Sequence, residues 1–357
     1  MKILMMNAGH IGSDHYRVTE PVRAVHESGS GVEVTITRGL TTTMRPSSGG
    51  GEPVVTDVDA QGADVVVLQL PKTAQMLQCM QVLQDQGVAV VVEMDDLLAG
   101  VAYGSLAYGA LVREGMGRQA LQCARAADLV TTTTPALLQE YAPHGRGVVV
   151  PNAIPRRIAA LPPAYERTPD VVTVGWSGSV MGHPYDLQEM GSGLQQALDN
   201  TSGRSRFLIL GQKADARDRL RLAEEPVEVP WIHDVDGYTT AVGEVFDIGV
   251  APLRIDRFNT CKSWLKNLEY AARGVFCVRP PSAEYERLGL GRRAKAPKDW
   301  AKALTTAIKD PDLRREQAAR DRAVVLEKHL TEHTAPQWVA AWEQAVDNRA
   351  RAQRKGA

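Results

Sequence analysis

Short apolar runs alternate with amphipathic segments along almost the whole chain. Residues 64–70 and 88–94 are nearly unbroken apolar runs, which is typical of strands buried on both faces of a parallel sheet. Segments with helical periodicity, such as residues 73–86, follow such runs. Strands that alternate with helices at this rhythm predict an α/β fold with doubly wound parallel sheets. Residues 41–52, rich in Thr, Ser, Gly and Pro, predict a mobile loop.

The alternation is interrupted once, at residues 154–170, where four prolines occur without any sustained periodicity. A chain of 357 residues also exceeds what one hydrophobic core usually organises. We therefore predict two domains, residues 1–155 and 156–334. A last helix at about residues 335–348 carries Trp338 and Trp342 on one face, and that face needs apolar cover.

Composition limits the class of protein. The chain has 41 basic and 42 acidic residues, a balance that argues against binding nucleic acid through bulk charge but leaves a local basic cleft open. Its four cysteines show no metal-ligand spacing and predict reduced thiols in a cytoplasmic protein. There is no apolar run of about 18 residues or more, so no transmembrane segment is expected.

Candidate chemistry concentrates after the predicted strand at residues 246–250. A polar loop and a predicted helix at residues 260–273 follow it. Ligands of open α/β sheets lie beyond the carboxyl ends of the strands, where helix N-termini point their N–H groups. Positive charge there suits a diphosphate, and Glu269 could accept hydrogen bonds from sugar hydroxyls. The candidate donor-binding residues of this stretch are Arg254, Asn259, Lys262, Ser263, Lys266 and Glu269.

Two further turns are candidates for ligand contact. Gly9 and Gly12 follow the first strand and allow close backbone approach, but they do not form the GxGxxG fingerprint, so an NAD-dependent enzyme is disfavoured. Gly178 and Ser179 form a similar turn after the strand at residues 171–176. Arg17, near the first turn, could reach a diphosphate across the cleft or form a surface ion pair.

A carboxylate cluster ends the strand at residues 88–96. Glu93, Asp95 and Asp96 could bind a metal, or one aspartate could cap the next segment and line the cleft. His10 and His15 follow the first strand, on the same predicted side. These two histidines with Asp95 and Asp96 are the candidates for contacting or deprotonating an acceptor.

Several segments together resemble GT-B glycosyltransferases of the retaining, family-four-like kind. They are the Gly-rich turn after the first strand, Ala127-Asp-Leu-Val-Thr131 with Pro135, Val150-Pro-Asn-Ala153, Gly175-Trp-Ser-Gly-Ser179 with Asp186-Leu187, Asp247-Ile-Gly-Val-Ala-Pro-Leu253 and Phe258-Asn-x-x-Lys-Ser-x-x-Lys-x-Leu-Glu-Tyr-Ala-Ala-x-Gly274. The resemblance implies two Rossmann-like domains facing across a cleft, with the last helix crossing back to the first domain. It also implies a nucleotide-sugar donor on the C-terminal domain, an acceptor on the N-terminal domain, and no metal or other cofactor.

The resemblance is incomplete at two positions. Glu269 matches the second glutamate of the family's E-x7-E motif, but the first falls on Cys261. Residues 177–179 also lack the basic residue of many relatives, so Lys262, Lys266 or Arg254 would neutralise the leaving diphosphate.

The expected activity is hexosyl or pentosyl transfer with retention to a hydroxyl acceptor. The acceptor stays open: a glycan, or a hydroxymethylated DNA base if the protein is phage-encoded and works in the host cytoplasm. The alternative is a non-catalytic nucleotide-sugar-binding protein of the same fold.

Overall fold

The computed structural model describes residues 1–47 and 51–356. Fourteen strands occur in this part of the chain: β1 (Lys2–Met6), β2 (Glu33–Thr37), β3 (Thr41–Arg45), β4 (Val54–Asp59), β5 (Val65–Gln69), β6 (Ala89–Met94), β7 (Leu129–Thr132), β8 (Gly147–Val149), β9 (Val172–Ser179), β10 (Ser205–Gln212), β11 (Val227–Val229), β12 (Ile248–Val250), β13 (Phe276–Arg279) and β14 (Arg292–Arg293).

An α-helix follows most of these strands in the chain. The α-helices are α1 (Ile11–Asp14), α2 (Glu20–Glu27), α3 (Ala74–Asp85), α4 (Met116–Ala126), α5 (Pro135–Tyr141), α6 (Arg156–Ala159), α7 (Gly193–Asp199), α8 (Ala216–Leu220), α9 (Val235–Val245), α10 (Arg257–Thr260), α11 (Leu265–Ala272), α12 (Ala283–Leu288), α13 (Pro297–Lys309), α14 (Pro311–Lys328) and α15 (Thr331–Gly356). A π-helical segment, His15–Thr19, joins α1 to α2, and another spans Gly109–Arg113. Three 3₁₀ turns, Leu98–Gly100, Ala164–Glu166 and Leu187–Met190, complete the set.

Two six-stranded parallel sheets organise the molecule. The first has the order β2-β1-β5-β6-β7-β8 and the second the order β11-β10-β9-β12-β13-β14. Every residue of β5 and β6 is buried, as the unbroken apolar runs predicted. The predicted architecture of two Rossmann-like domains is confirmed.

The second sheet depends on a close approach between strand and helix. A Cβ atom on Gly175, in β9, would lie 2.0 Å from the ring of Phe246. Phe246 in turn lies edge-to-face with Tyr270 of α11, their centroids 5.9 Å apart. Glycine at residue 175 therefore lets α9 and α11 pack directly on the centre of the sheet.

The last helix crosses back to the first domain. In α15, Trp338 and Trp342 are almost fully buried in one cluster with Ile3 and Val22 of the first domain. The guanidinium of Arg17 lies 4.7 Å above the ring of Trp338. The apolar cover that the two tryptophans require is thus supplied by the first sheet and α2.

Two local predictions were wrong. Residues 41–45 and 54–59 pair as the antiparallel hairpin β3–β4 instead of a loop, because Val55 and Val58 are buried in the same core as α3; residues 48–50 of the predicted loop lie outside the described chain. The helix predicted over residues 260–273 is divided into α10 and α11, and Lys262 and Ser263 lie in the break between them.

No helix in the described part of the chain is both long enough and apolar enough to cross a membrane.

Candidate active site

A cavity of about 210 Å³ lies between the two domains, beyond the carboxyl ends of both sheets. The turn after β1, the end of β6 and the segment after β8 form one wall. The end of β9, the loop after β12 and α11 form the other. The polar lining of the cavity includes Ser13, Tyr16, Asp95, Asp96 and Asn152 from the first domain and His183, Asp186, Lys262, Ser263, Lys266 and Glu269 from the second.

Lys262 crosses the cavity to the opposite domain. Its Nζ donates to the two carboxylate oxygens of Asp96 at 2.7 and 2.9 Å and lies 4.7 Å from the ring centroid of Phe258. Burial opposes the charge, but the attraction and hydrogen bonds of Asp96 outweigh it and raise the pKa of Lys262. The ammonium is therefore charged at neutral pH and faces the cavity beside a carboxylate that an anionic ligand can displace.

Lys266 lies in the first turn of α11, and no carboxylate of the described residues forms an ion pair with it. Its Nζ donates to the backbone oxygen of Ser177 at 2.5 Å and lies 5.4 Å from the ring of Trp176. Burial lowers its pKa, and Glu269 only partly offsets that effect. A bound anion would favour the charged form of this lysine.

Glu269 is held by hydroxyl groups from both domains. Tyr16 donates to Oε1 at 2.7 Å, and Tyr238 donates to Oε2 at 3.1 Å. Burial raises the pKa of Glu269, although Lys266 and the two hydroxyls oppose this effect. Both oxygens already accept a hydrogen bond, so a sugar hydroxyl would have to join or replace a tyrosine.

Asp95 and Asp96 supply the acidic side of the first domain. Asp95 accepts a hydrogen bond from Ser13 Oγ at 2.5 Å, and Ser13 in turn accepts one from Gln69 at 2.8 Å. Burial and the neighbouring charge of Asp96 raise the pKa of Asp95 to about 6. This carboxyl group can therefore exchange a proton near neutral pH.

A second network lies where the loop after β9 meets the loop before α10. His183 Nδ1 lies 2.9 Å from Asp186 Oδ2, and Asn259 Nδ2 donates to Asp186 Oδ1 at 2.9 Å. The amide of Arg254 donates to the same oxygen at 3.0 Å. Burial would raise the pKa of Asp186, but these bonds lower it, so Asp186 remains ionised and orients the histidine ring.

The chain is similar to known proteins in part of its sequence and in its fold. Residues 194–340 match the family described as glycosyl transferase-like. A glycosyltransferase from Rickettsia africae superposes with a TM-score of 0.62 at 12% identity, over 97% of this chain and 99% of that one. Anabaena HepE, solved with UDP, superposes with a TM-score of 0.59 at 14% identity, over 96% of this chain and 100% of that one. The chain has the GT-B fold, and the family match is confined to residues 194–340.

Longer proteins share the fold as well. For TarM of S. aureus the TM-score is 0.58 at 12% identity, over 78% of this chain, and the chain spans 55% of the length of TarM. No curated protein matches the chain in sequence.

Several predicted donor-binding residues of this GT-B protein lie outside the cavity. Arg17 is buried in the first domain, where it donates to Glu93 at 2.6 Å and to the Val150 carbonyl at 2.7 Å. Arg254 is exposed and stacks 4.9 Å above the ring of Tyr185. Gly178, at φ 141°, and Ser179, bonded to Gln212, end β9 away from the cavity lining, and Gly9 is an exposed turn residue at φ 78°.

Two of the four predicted catalytic residues line the cavity, and the two histidines do not. Asp95 and Asp96 line the cavity, as does Gly12. His10 is exposed at the start of α1, and His15 Nε2 lies 3.8 Å from Asp236 instead. Burial lowers the pKa of His15, which therefore stays neutral around pH 7. The catalytic roles of both histidines stay predictions.

Glu93, near the end of β6, does not lie together with Asp95 and Asp96 as a metal site would require. Glu93 is fully buried and bonds to Arg17 and Thr131, away from Asp95 and Asp96. In the described part of the chain, no group of three histidine, cysteine or acidic side chains is placed to hold a metal ion.

Cys261, at the position of the first glutamate of the E-x7-E motif, does not line the cavity. Cys261 is buried among apolar residues of the first domain, next to Phe258, and its carbonyl accepts a hydrogen bond from Thr134 at 3.0 Å. It is a free thiol, and burial raises its pKa to about 11. It therefore contributes packing between the domains rather than a sugar contact.

Sequence reasoning missed six polar residues of the cavity and its networks. Ser13, Tyr16 and Tyr238 carried no signal, because a hydroxyl group becomes a site residue only through its partner. Asn152 donates to Ser263 at 3.0 Å, and the Pro-Asn pair after β8 was noted only as a motif. His183 preceded Asp186 by one helical turn, and that spacing could have identified the pair.

Proposed function

We propose that the protein is a glycosyltransferase that moves a sugar from a nucleotide-sugar donor to a hydroxyl acceptor. The observation that carries this proposal is that Lys262, Lys266 and Glu269 line one cavity between the domains. Two partly buried ammonium groups can stabilise the negative charge that grows on a leaving diphosphate. UDP bound to the similarly folded HepE supports a nucleoside diphosphate as the ligand class.

In this proposal residues 156–334 hold the donor, and residues 1–155 with the C-terminal helix hold the acceptor. Transfer is metal-independent, because the lysines take the place of a metal at the diphosphate, and it is retaining, as the resemblance to the family-four-like enzymes implies. The group moved is a hexose or pentose, and the acceptor is a glycan or, in a bacteriophage setting, a hydroxymethylated DNA base. The reaction takes place in the cytoplasm, which the four free cysteines favour.

The test begins with a thermal-shift panel of nucleoside diphosphates and their sugars, followed by mass spectrometry of acceptor mixtures. We expect at least one nucleotide sugar to raise the melting temperature and to be consumed. Lys262→Ala should weaken nucleoside diphosphate binding by roughly tenfold to a hundredfold, since a charge-assisted contact is lost.

Arg257→Ala is the matched control. Arg257 also joins the two domains, through Glu140 at 2.8 Å, but it lies outside the cavity lining. Its loss should leave nucleoside diphosphate binding within about twofold, as expected for an exposed ion pair. Equal binding by wild type and Lys262→Ala, or no binding by any nucleotide, would contradict the proposal.

A second candidate, a nucleotide-sugar-binding protein without transferase activity, is favoured by one observation. Cys261, at the position of the first motif glutamate, is buried away from the cavity. Binding of a nucleotide sugar without turnover of donor against any acceptor or water would support this candidate.

A further inference from the structure

A second cavity, of about 310 Å³, adjoins the first and shares part of its lining. Asp96, His183, Asp186 and Lys262 line both cavities. The second cavity is built by both domains, residues 96–111 on one side and residues 182–186 and 256–262 on the other. A molecule bound in the second cavity would therefore lie next to the first cavity, which the proposed function assigns to the nucleotide-sugar donor.

The wall from the first domain is mainly apolar. Leu98, Val101 and Leu111 line it, and Phe258 adds an aromatic ring from the second domain. Leu106 also lines the cavity, although 77% of it is exposed. An apolar group in this cavity would cover surface that water contacts at present, which is favourable.

One buried polar atom at this cavity lacks a partner. Asn259 is 6% exposed and lines the cavity. Its Nδ2 donates to Asp186, but its Oδ1 is buried and accepts no hydrogen bond within the described chain. Such an atom destabilises the fold unless a ligand donates to it. A hydroxyl group is the donor that this carbonyl oxygen suits.

His183 supplies a second polar contact at the junction of the cavities. Its Nδ1 is engaged by Asp186 at 2.9 Å, which leaves Nε2 as the ring nitrogen that can meet a ligand. The Tyr185 hydroxyl donates to the Tyr103 carbonyl at 2.8 Å and ties the second domain to the apolar wall. Gly104, at φ 92°, permits this contact, because a Cβ there would lie 2.9 Å from the Tyr185 hydroxyl.

The charge of the cavity narrows the class of ligand. Three carboxylates line it, Asp96, Asp186 and Asp256, against the single ammonium of Lys262. That ammonium is already paired with Asp96. A phosphate group entering this cavity would meet excess negative charge, which raises the free energy of binding. The cavity therefore disfavours sugar phosphates and nucleic acid and favours a neutral molecule.

We propose that this second cavity is the acceptor subsite and that the acceptor is an uncharged hydroxyl compound carrying an aryl or alkyl group. The apolar group packs on Leu98, Val101 and Leu111, and the hydroxyls meet Asn259 Oδ1 and His183 Nε2. This inference rests on the proposed transferase function and names the substrate class for the same site.

The experiment compares methyl glucoside with para-nitrophenyl glucoside, two uncharged probes that differ only in the apolar group. Binding is measured by saturation-transfer NMR and calorimetry with the nucleoside diphosphate that stabilises the protein most. We expect the aryl probe to bind at least about tenfold more tightly than the methyl probe, because it buries a ring. An oligonucleotide containing hydroxymethylcytosine is the third arm.

Two variants locate the site. Ala102→Trp fills the cavity from its half-buried wall and should abolish the aryl preference while leaving nucleoside diphosphate affinity unchanged. Leu106→Ser changes an exposed position, so it keeps the fold, and should reduce the preference by about threefold. Val227→Ser, an exposed apolar position on the edge strand β11, is the matched control and should change nothing.

The outcomes separate this inference from the proposed function. Equal binding of the two glucosides, an aryl preference that survives Ala102→Trp, or tighter binding of the oligonucleotide would overturn the acceptor subsite while nucleoside diphosphate binding still supports the transferase. Failure of every nucleotide to bind would remove the proposed function itself, and this inference with it.

Discussion

At the scale of single residues, similar side chains in this cleft have opposite electrostatic surroundings. Lys262 is paired with Asp96, which raises its pKa, whereas Lys266 bonds to a backbone carbonyl and burial lowers its pKa. Asp95 lies beside Asp96 without a cation of its own in contact. The site thus combines one compensated ion pair with a lysine and an aspartate that are costly to keep charged.

The pKa of Asp95 leads to a stability prediction. Its folded value of about 6 lies above the ordinary value of 3.8, so the folded protein binds this proton more tightly than the unfolded chain does. The stabilisation is full below about pH 4 and is lost as pH rises through about 6. Asp95→Asn should therefore raise the free energy of unfolding at pH 8 by on the order of 1–2 kcal/mol.

Urea unfolding of both proteins between pH 4 and pH 8 measures this effect. The advantage of Asp95→Asn should shrink as the pH falls through about 6. Asp59→Asn, at an exposed position, serves as control and should follow the wild-type curve. A stability difference for Asp95→Asn that does not vary with pH would contradict the raised pKa.

At the scale of elements, interruptions and crossings decide the geometry. The break between α10 and α11 places Lys262 in a loop, from which it can reach Asp96 in the other domain. Asp256 caps α10 by accepting from the Asn259 amide at 2.9 Å, and that helix ends after one turn. The long α15 returns the end of the chain to the first domain and completes its core.

Trp342 tests the contribution of α15. The side chain is fully buried, so Trp342→Ala should lower the free energy of unfolding by about 3–5 kcal/mol through loss of packing and creation of a cavity. Trp342→Phe should cost less, because the indole Nε1 has no hydrogen-bond partner within the described chain.

Urea denaturation followed by circular dichroism gives both values. Val346→Ala, on the same helix but 36% exposed, should change stability by less than about 1 kcal/mol. A Trp342→Ala variant as stable as the Val346→Ala control would show that α15 does not complete the first core.

At the scale of the whole molecule, the chain crosses between domains at two adjacent places. Ile154 in the linker and Leu330 before α15 form a parallel bridge, in which the Ile154 amide donates to His329 at 2.9 Å. Next to it, Arg157 binds Glu20 of the first domain at 2.7 Å and Asp236 of the second at 2.9 Å. We expect the crossing points to act as the hinge of the cleft and this ion-pair cluster to act as its latch.

Arg157→Gln should loosen the contact between the domains. Arg157 is the main partner of the Glu20 carboxylate, which is only 2% exposed. Its loss would leave a buried charge without that partner, and we expect a destabilisation of roughly 1–3 kcal/mol. Small-angle X-ray scattering should show a larger radius of gyration in the absence of nucleotide, with a return toward the wild-type value when a nucleoside diphosphate binds.

The neighbouring Arg156 offers a matched control. It pairs with Glu332, but both side chains are largely exposed, so Arg156→Gln should leave the stability almost unchanged. Identical scattering curves for wild type and Arg157→Gln would exclude Arg157 as a latch.

The fold was more predictable than the site, for a physical reason. Buried strands such as β5 and β6 require unbroken apolar runs, and Trp338 with Trp342 required cover, so local composition carried the architecture. Cations beside a strand end were also recognised, and Lys262, Lys266 and Glu269 do share one cavity. The hairpin β3–β4 was missed, because its Thr-rich first strand resembles a polar loop.

The sequence by itself determined the order of strands and helices, the need for two cores and the position of the basic stretch, because burial and charge are properties of neighbouring residues. The tertiary structure alone decided which side chains meet. It turned Arg17 into the first domain, brought Tyr16 to Glu269 and Asp96 to Lys262, and left Asn259 Oδ1 without a partner beside an apolar wall. The contacts of Tyr16 and Asp96 join residues 253 and 166 positions apart, and only the packing of the two domains fixes them.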